Sequence, residues 1–134
     1  MRELLPRLFF EHFNDTSFAV GPSGVVHAFL VGFLSQSQPG VAYIHFVGVS
    51  PERRGEGLGR RLYERFFESV QARGSSFVRC ITSPLNTGSI GFHRRMGFDV
   101  LPGTGEIDGL AVALHHGGEG QHRVVFQKVL ALPA

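Results

Sequence analysis

The sequence predicts one α/β domain built on a mixed sheet, and three observations carry that reading. Apolar runs between residues 16 and 49 are joined by links too short for a crossover, so they form an antiparallel meander. A strongly amphipathic segment, Leu58 to Arg73, stands between two strand candidates and makes the second of them parallel to the first. The join between strand and helix is the glycine-rich turn Arg54-Gly55-Glu56-Gly57-Leu58-Gly59.

Residues 2 to 13 read as a short helix, with Leu4, Leu5, Leu8, Phe9 and Phe13 at helical spacing. Thr16 to Val20 is a short strand, and Gly21-Pro22-Ser23-Gly24 turns it into a longer one, Val25 to Ser35. A second turn, residues 36–40, leads into the strand Val41 to Val49, which Ser50-Pro51-Glu52 breaks. In the helix that follows, Leu58, Leu62, Phe66 and Val70 recur every four residues, joined by Tyr63 and Phe67, while Arg60, Arg61, Glu64, Arg65 and Glu68 hold the other face. Gly74 stops it. Ser76 to Ile81 is the next strand, Asn86 to Arg95 a short helix closed by Gly97, and Phe98 opens another strand. Residues 102–120 are glycine-rich and polar with a short apolar stretch from Leu110 to Leu114, and Arg123 to Leu130 is the last strand.

Composition sets the outer limits. A length of 134 residues is enough for one core and not for two. Hydrophobic residues at 43% and charged ones at 18% give the balance of a globular chain. Net charge is only +2, and the arginines crowd one turn instead of lining a face, which argues against nucleic acid. No run approaches the ~20 apolar residues of a membrane span. Glu3, Pro6 and Arg7 interrupt the first apolar stretch, against a signal peptide. The one cysteine, Cys80, forbids an internal disulfide and fits a reducing cytoplasm. His115, His116 and His122 match no zinc spacing, and no metal site is expected.

The glycine-rich turn has the chemistry of an anion site. Backbone N–H groups in the first turn of a helix lack partners within it, and the positive end of the helix dipole favours negative charge. Arg53, Arg54, Arg60 and Arg61 add forked donors suited to phosphate oxygens. The turn is not a P-loop, because Arg60-Arg61 stands where Lys-Ser or Lys-Thr is required. Nor is it a dinucleotide fingerprint, because Leu62 occupies the place of the third small residue.

A second segment, Asn86-Thr87-Gly88-Ser89-Ile90-Gly91-Phe92-His93-Arg94-Arg95-Met96-Gly97-Phe98, decides between readings. Together with Val49-Ser50-Pro51 and Arg54-x-x-Gly57-x-Gly59 it resembles the GCN5-related N-acetyltransferase (GNAT) superfamily. Gly59 precedes Asn86 by 27 residues, room for a helix and a strand in the order the family requires. The resemblance covers roughly Thr16 to Leu130 and is best from Ala42 to Phe98.

It implies an acetyl-CoA-dependent transfer of acetyl to a primary amine of a small molecule, peptide or protein. Acetyl-CoA would lie where the strands Val41–Val49 and Ser76–Ile81 splay. Its pyrophosphate would rest on the turn from Arg54 through Gly55, Glu56, Gly57, Leu58 and Gly59 to Arg60. The pantetheine arm would bond backbone groups of Val47, Gly48 and Val49, which otherwise would be buried without partners at a cost of ~1–3 kcal/mol each. Asn86, Ser89, Phe92 and His93 would complete the cofactor contacts, with Asn86 near the thioester.

Two places depart from the family pattern. Where many members carry a tyrosine acting as general acid toward the leaving thiolate, the residue directly after Phe92 is His93. It could protonate the thiolate, or be a partly exposed ring bonding cofactor or water. Where some relatives place a glutamate as base stands Tyr43. No carboxylate occupies this strand; His45, two residues on and so expected on the face of Tyr43, Val47 and Val49, could relay a proton or be structural. Only one helix fits before Thr16, where the family usually has a strand and two helices. The acceptor site is then more open, or another subunit supplies its wall; a homodimer, with Phe9, Phe10 and Phe13 as partner surface, stands beside a fully packed monomer. The alternative function is a non-catalytic acyl-CoA-binding or sensing module.

Overall fold

The computed structural model describes residues 6–130, and the start of the expected helix, including Leu4 and Leu5, lies outside the described residues. The chain forms two compact units, one holding residues 6–78 and Leu130, the other Arg79–Val129.

The first unit opens with α1 (Pro6–His12), followed by β1 (Phe18–Val20), β2 (Ala28–Leu34) and β3 (Val41–Val49). The three strands are antiparallel neighbours in the order β1-β2-β3. β1 begins two residues later than the alternation predicts. Thr16 and Ser17 are buried, and their hydroxyls serve the backbone of Gly32: Thr16 Oγ1 donates to Gly32 O at 2.6 Å, and Gly32 N–H donates to Ser17 Oγ at 3.2 Å. β2 also starts late, because the turn before it is longer than the sequence suggests. Val25 N–H bonds Pro22 O at 2.9 Å, and pairing resumes with His27 N–H on Val20 O at 2.7 Å.

The ladder between β2 and β3 carries a bulge. Gly32 faces Ile44 and Val31 faces Phe46, so His45 has no opposite residue. The alternation of β3 therefore changes phase at His45. Tyr43, Phe46 and Gly48 stand opposite Phe33, Val31 and Phe29 on one face, while Ile44, Val47 and Val49 fall on the other. The expected common face of Tyr43, His45, Val47 and Val49 does not exist, because the inserted residue shifts every later side chain across the sheet.

After a single 3₁₀ turn, Pro51–Arg53, α2 (Leu58–Ala72) buries Leu58, Leu62, Tyr63, Phe66 and Val70 against β2 and β3. Phe66 and Val70 are fully buried. Gly32 makes this possible: a Cβ built there would lie 2.5 Å from the Phe66 ring and 2.8 Å from the carbonyl oxygen of Tyr43. The helix ends at Gly74 with φ of 90°, and Ser75 N–H closes the turn on Val70 O at 2.9 Å. β4 (Phe77–Thr82) then starts beside β3, since Gly40 O accepts from Ser76 N–H at 2.8 Å and Phe77 N–H at 3.1 Å. The two strands leave from the same level with α2 as the crossover, so they are parallel. On the opposite face α1 packs on β2 through rings in series: Tyr43 stacks on Phe33, Phe33 meets Phe13, Phe13 meets Phe9, and Phe9 stacks on His45. Phe9 and Phe13 thus face the sheet.

The second unit continues β4 and adds α3 (Thr87–Arg95), β5 (Asp99–Val100), β6 (Gly105–Ile107), β7 (Leu110–Val112) and β8 (Val124–Val129). Strand order here is β4-β8-β5, with β5 antiparallel to β8. Residues expected as an irregular glycine-rich loop instead form the hairpin β6–β7. Its two turn residues, Asp108 at φ 50° and Gly109 at φ 80°, have the left-handed backbone of a type I′ turn. The Asp-Gly pair was the signal, and the shortness of the flanking strands hid it. Among the described residues no helix is long and apolar enough to cross a membrane.

The Gly32–Phe66 contact gives a test of this packing. Gly32→Ala should destabilise the chain by about 1–3 kcal/mol through overpacking against a ring that has no room to retreat. Urea unfolding monitored by circular dichroism measures it, and Gly32→Ala combined with Phe66→Leu should recover part of the loss.

Candidate functional site

The residues that the sequence assigns to the site divide between the units. Tyr43 to Arg60 belong to the first, and Asn86, Ser89, Phe92 and His93 to the second.

In the first unit the anion cradle is built by backbone conformation. Gly55 at φ 88° and Gly57 at φ 78° take the left-handed region that side chains resist, and an added Cβ at either would enter open space. Gly57 is the N-cap of α2 and, having no side chain, provides no capping bond; its carbonyl accepts the first helical N–H, from Arg61, at 3.1 Å. The N–H groups of Leu58, Gly59 and Arg60 therefore emerge from a helix start that nothing in the helix itself can satisfy. No acidic residue occupies this first turn, where a carboxylate would ordinarily compensate the dipole. Arg53 pairs with Glu56 at 3.6 Å and Arg60 with Glu64 at 3.1 Å, all on exposed side chains. Among the described residues Arg54 and Arg61 have no carboxylate partner, so their guanidinium groups add unneutralised positive charge to the turn. These features fit a phosphate or pyrophosphate group.

Upstream, Val47, Gly48 and Val49 end β3 half-buried, paired with Leu30, Phe29 and Ala28. Tyr43 is half-buried on Phe33, with ring centroids 5.4 Å apart. His45 is exposed and stacks on Phe9 at 5.3 Å. Ser50 Oγ donates a short hydrogen bond to Glu52 Oε2, which with the backbone N–H of Glu52 holds that carboxyl below its usual range.

In the second unit Asn86 caps α3, its Oδ1 accepting from Ser89 N–H at 3.0 Å. What Asn86 can offer a ligand is then its Nδ2 donor pair. His93, which the sequence leaves as either a proton donor or a partly exposed ring, is buried, with 6% of its surface accessible. Its ring stacks on Phe126 at 4.8 Å and meets Phe98 and Phe92 edge-on at 5.2 and 5.6 Å. Nδ1 lies 2.7 Å from the carbonyl oxygen of Ser89, so Nδ1 carries the proton and donates it there, with Ser89 Oγ at 3.2 Å. Desolvation among these rings pushes the His93 pKa down, against the opposing pull of the Ser89 carbonyl. The ring is neutral at pH 7 and its Nε2 is an acceptor, the reverse of what a proton donor to a thiolate requires.

His115 and His122 approach to 4.6 Å between ring centroids. Both Nδ1 atoms accept backbone N–H groups, from Gly120 at 2.9 Å and His115 at 3.0 Å, so they tie the loop before β8 to itself. Among the described residues no group of three His, Cys, Asp or Glu side chains is placed to hold a metal ion. The Cys80 thiol is buried and its pKa pushed up to about 12, which leaves it inert as a nucleophile.

One cavity in the first unit was not foreseen. It has a volume of about 670 Å³ and lies between Phe10 of α1, the turn Gly24–His27, Phe29 and the end of β3. No sequence signal marks it, since its walls come from three separate segments.

A mixed-sheet α/β chain with an uncapped, glycine-cradled helix start after its central strand is the frame of an acyl-CoA transferase fold. Solved structures share that frame. Ard1 from Thermoplasma volcanium superposes with a TM-score of 0.74 at 17% identity, covering 92% of this chain and 76% of that one. The ribosomal-protein-S18-alanine N-acetyltransferase from Escherichia coli gives 0.67 at 16%, covering 88% and 70%. A chain of the NatC complex bound to Gag peptide and CoA gives 0.72 at 14%, covering 93% and 77%. At the level of sequence, residues 2–98 match the Acetyltransferase (GNAT) family, and the chain belongs to that family. A mycothiol acetyltransferase from Arthrobacter sp. (strain FB24) is 31% identical over 102 residues, 72% of this chain and 32% of the relative. An L-methionine sulfoximine/L-methionine sulfone acetyltransferase from Pseudomonas aeruginosa (strain PAO1) is 38% identical over 56 residues, 42% of this chain and 33% of the relative. The chain thus spans about a third of the length of these curated relatives.

Burial of a neutral His93 gives a pH test. Its folded pKa lies below the unfolded value near 6.5, so below about pH 6.5 the unfolded chain takes up a proton that the folded chain refuses. Stability is full above that pH and falls as the pH drops toward the folded pKa. Melting temperature measured from pH 8 to 5 should decline below pH 6.5, and His93→Phe should decline less steeply.

Proposed function

We propose that this chain is an N-acetyltransferase that moves acetyl from acetyl-CoA directly to a primary amine. The observation that carries this reading is the start of α2, where Gly57 in a left-handed conformation leaves the first-turn N–H groups uncapped. Membership of an acetyltransferase family and a chain of like fold in a complex bound to CoA support the same assignment.

The N–H groups of Gly55, Gly57, Leu58, Gly59 and Arg60 take the pyrophosphate, with Arg54 beside them and Glu56 drawn off by Arg53. Backbone groups of Val47, Gly48 and Val49 guide the pantetheine arm, and Asn86 contributes its Nδ2 donors near the thioester. On the family resemblance we assign Ser89 and Phe92 to contacts with the same cofactor. In the reaction the amine lone pair attacks the thioester carbonyl and a C–N bond forms. That lone pair is freed when the substrate ammonium first gives one proton to water; after C–N bond formation the C–S bond breaks and the one surplus proton on nitrogen goes to the thiolate, leaving amide and CoA thiol. A strand N–H stabilises the oxyanion between these steps. We assign His45, exposed on β3, to passing the amine's proton to water, and Tyr43, stacked on Phe33, to orienting the adjoining rings. His93 we assign to holding α3 on Phe126, since its neutral, Nδ1-protonated ring has no proton to give at Nε2.

That absence of a proton donor at His93 also favours a second reading, a non-catalytic acyl-CoA-binding module. Release of free thiol from acetyl-CoA on adding amines separates the two: the enzyme releases it with amine, the sensor does not. The protein acts in the cytoplasm, where an unpaired Cys80 persists as a thiol, and a second subunit is the proposed source of any further wall for the acceptor site.

Acetyl-CoA binding by calorimetry should be lost in Gly57→Glu, by at least about 100-fold or ~2.8 kcal/mol, with the fold intact by circular dichroism. Equal binding in both proteins would remove the turn from the site. In His45→Gln the acidic limb of the pH–rate profile should move; an unchanged profile would end the relay assignment.

A further inference from the structure

The cavity of about 670 Å³ has the size of a small-molecule site, and its chemistry is one-sided. Val25 and Val26 leave 49% and 58% of their surface exposed around it, although both are strand-forming, apolar residues. Phe29 forms a wall, stacked on Phe46 at 5.8 Å with planes only 6° apart, and Phe46 is itself 47% exposed. Gly48 supplies bare backbone beneath the ring, because a Cβ there would lie 2.5 Å from Phe29. Phe10 closes the α1 side. Apolar surface gathered in this way round one concavity marks a binding site more often than chance exposure does.

One end is polar. Ser50 lines the cavity and donates to the carboxylate of Glu52, and His27, also in the wall, lies within electrostatic reach of it. The Ser50 hydroxyl is thus oriented by Glu52, and its oxygen can accept from an amine N–H at this end. An apolar chamber with Ser50 and His27 at one end, and the Glu52 carboxylate held on Ser50 next to that end, complements a primary amine carrying a bulky apolar group. Gly48 and Val49 belong to the stretch of β3 against which the pantetheine arm is proposed to lie.

We infer that this cavity holds the apolar side group of the acceptor, so that the enzyme selects primary amines bearing an aromatic or branched aliphatic group over small polar ones. The inference rests on the acetyl-transfer reading above.

The probes are 2-phenylethylamine and ethanolamine, which share the amine and differ in the side group. Titrated into the ¹⁵N-labelled chain, 2-phenylethylamine should shift the amide signals of Val25, Val26, His27 and Gly48, with an affinity at least about ten-fold above that of ethanolamine. Val26→Lys places a cation in the chamber from an exposed position; it should raise Kd and KM for 2-phenylethylamine about ten-fold while acetyl-CoA affinity stays within about two-fold. Val26→Leu should keep both, which controls for folding. If acetyl-CoA binds but the two amines bind and react alike, or Val26→Lys changes neither constant, the inference is overturned. It is overturned equally if sedimentation shows a dimer that Val26→Lys dissociates, because a second copy then fills the cavity. If acetyl-CoA fails to bind the wild type, the transfer reading falls, and the amine titration still judges the cavity by itself.

Discussion

The seat of Phe66 on the bare backbone of Gly32 is the contact on which the first unit depends. It fixes the distance of α2 from the sheet, and therefore where the start of α2 stands after β3. The same residue sits at the bulge, where the ladder loses a partner, and Thr16 and Ser17 supply by side chain the bonds that Gly32 needs. Buried backbone without such partners would cost ~1–3 kcal/mol per group. A packing requirement, a register change and two buried hydroxyls thus meet at one glycine.

The bulge separates two kinds of surface. Ile44, Val47 and Val49 turn to the α2 side, while Tyr43, Phe46 and Gly48 join the aromatic face that α1 covers in part. Phe9 and Phe13 cover the stretch around Phe33 and His45, and the cover stops short of Phe46, Val25 and Val26. The uncovered remainder is where the cavity opens. In the second unit the order is reversed, with an ionisable side chain spent on packing: His93 holds α3 to Phe126, and Lys128 Nζ donates to Met96 O at 3.0 Å to finish the helix.

Most of the frame was legible because each long element has a strong period. Val41–Val49 is the observed strand end to end, and α2 differs from its expected range by one residue, since every fourth residue is apolar and Gly74 stops it. Asn86 and Gly97 mark α3 through cap chemistry that is local to the sequence. Where the reading missed, the cause was non-local. The bulge at His45 depends on Gly32, thirteen positions earlier in the chain. The burial of His93 depends on Phe126, whose approach no helical periodicity announces. The left-handed turn before α2 was legible from its glycines, whereas the cavity, assembled from α1, a turn and β3, was not.

The central claim is that the uncapped first turn of α2 is a pyrophosphate site. The most direct measurement is the amide spectrum of the ¹⁵N-labelled chain titrated with CoA and, separately, with pantetheine, which lacks the pyrophosphate. The account predicts that CoA moves the signals of Gly55, Gly57, Leu58, Gly59 and Arg60 to a saturable end point and that pantetheine leaves them in place. Saturable CoA binding with those five signals unmoved would contradict it.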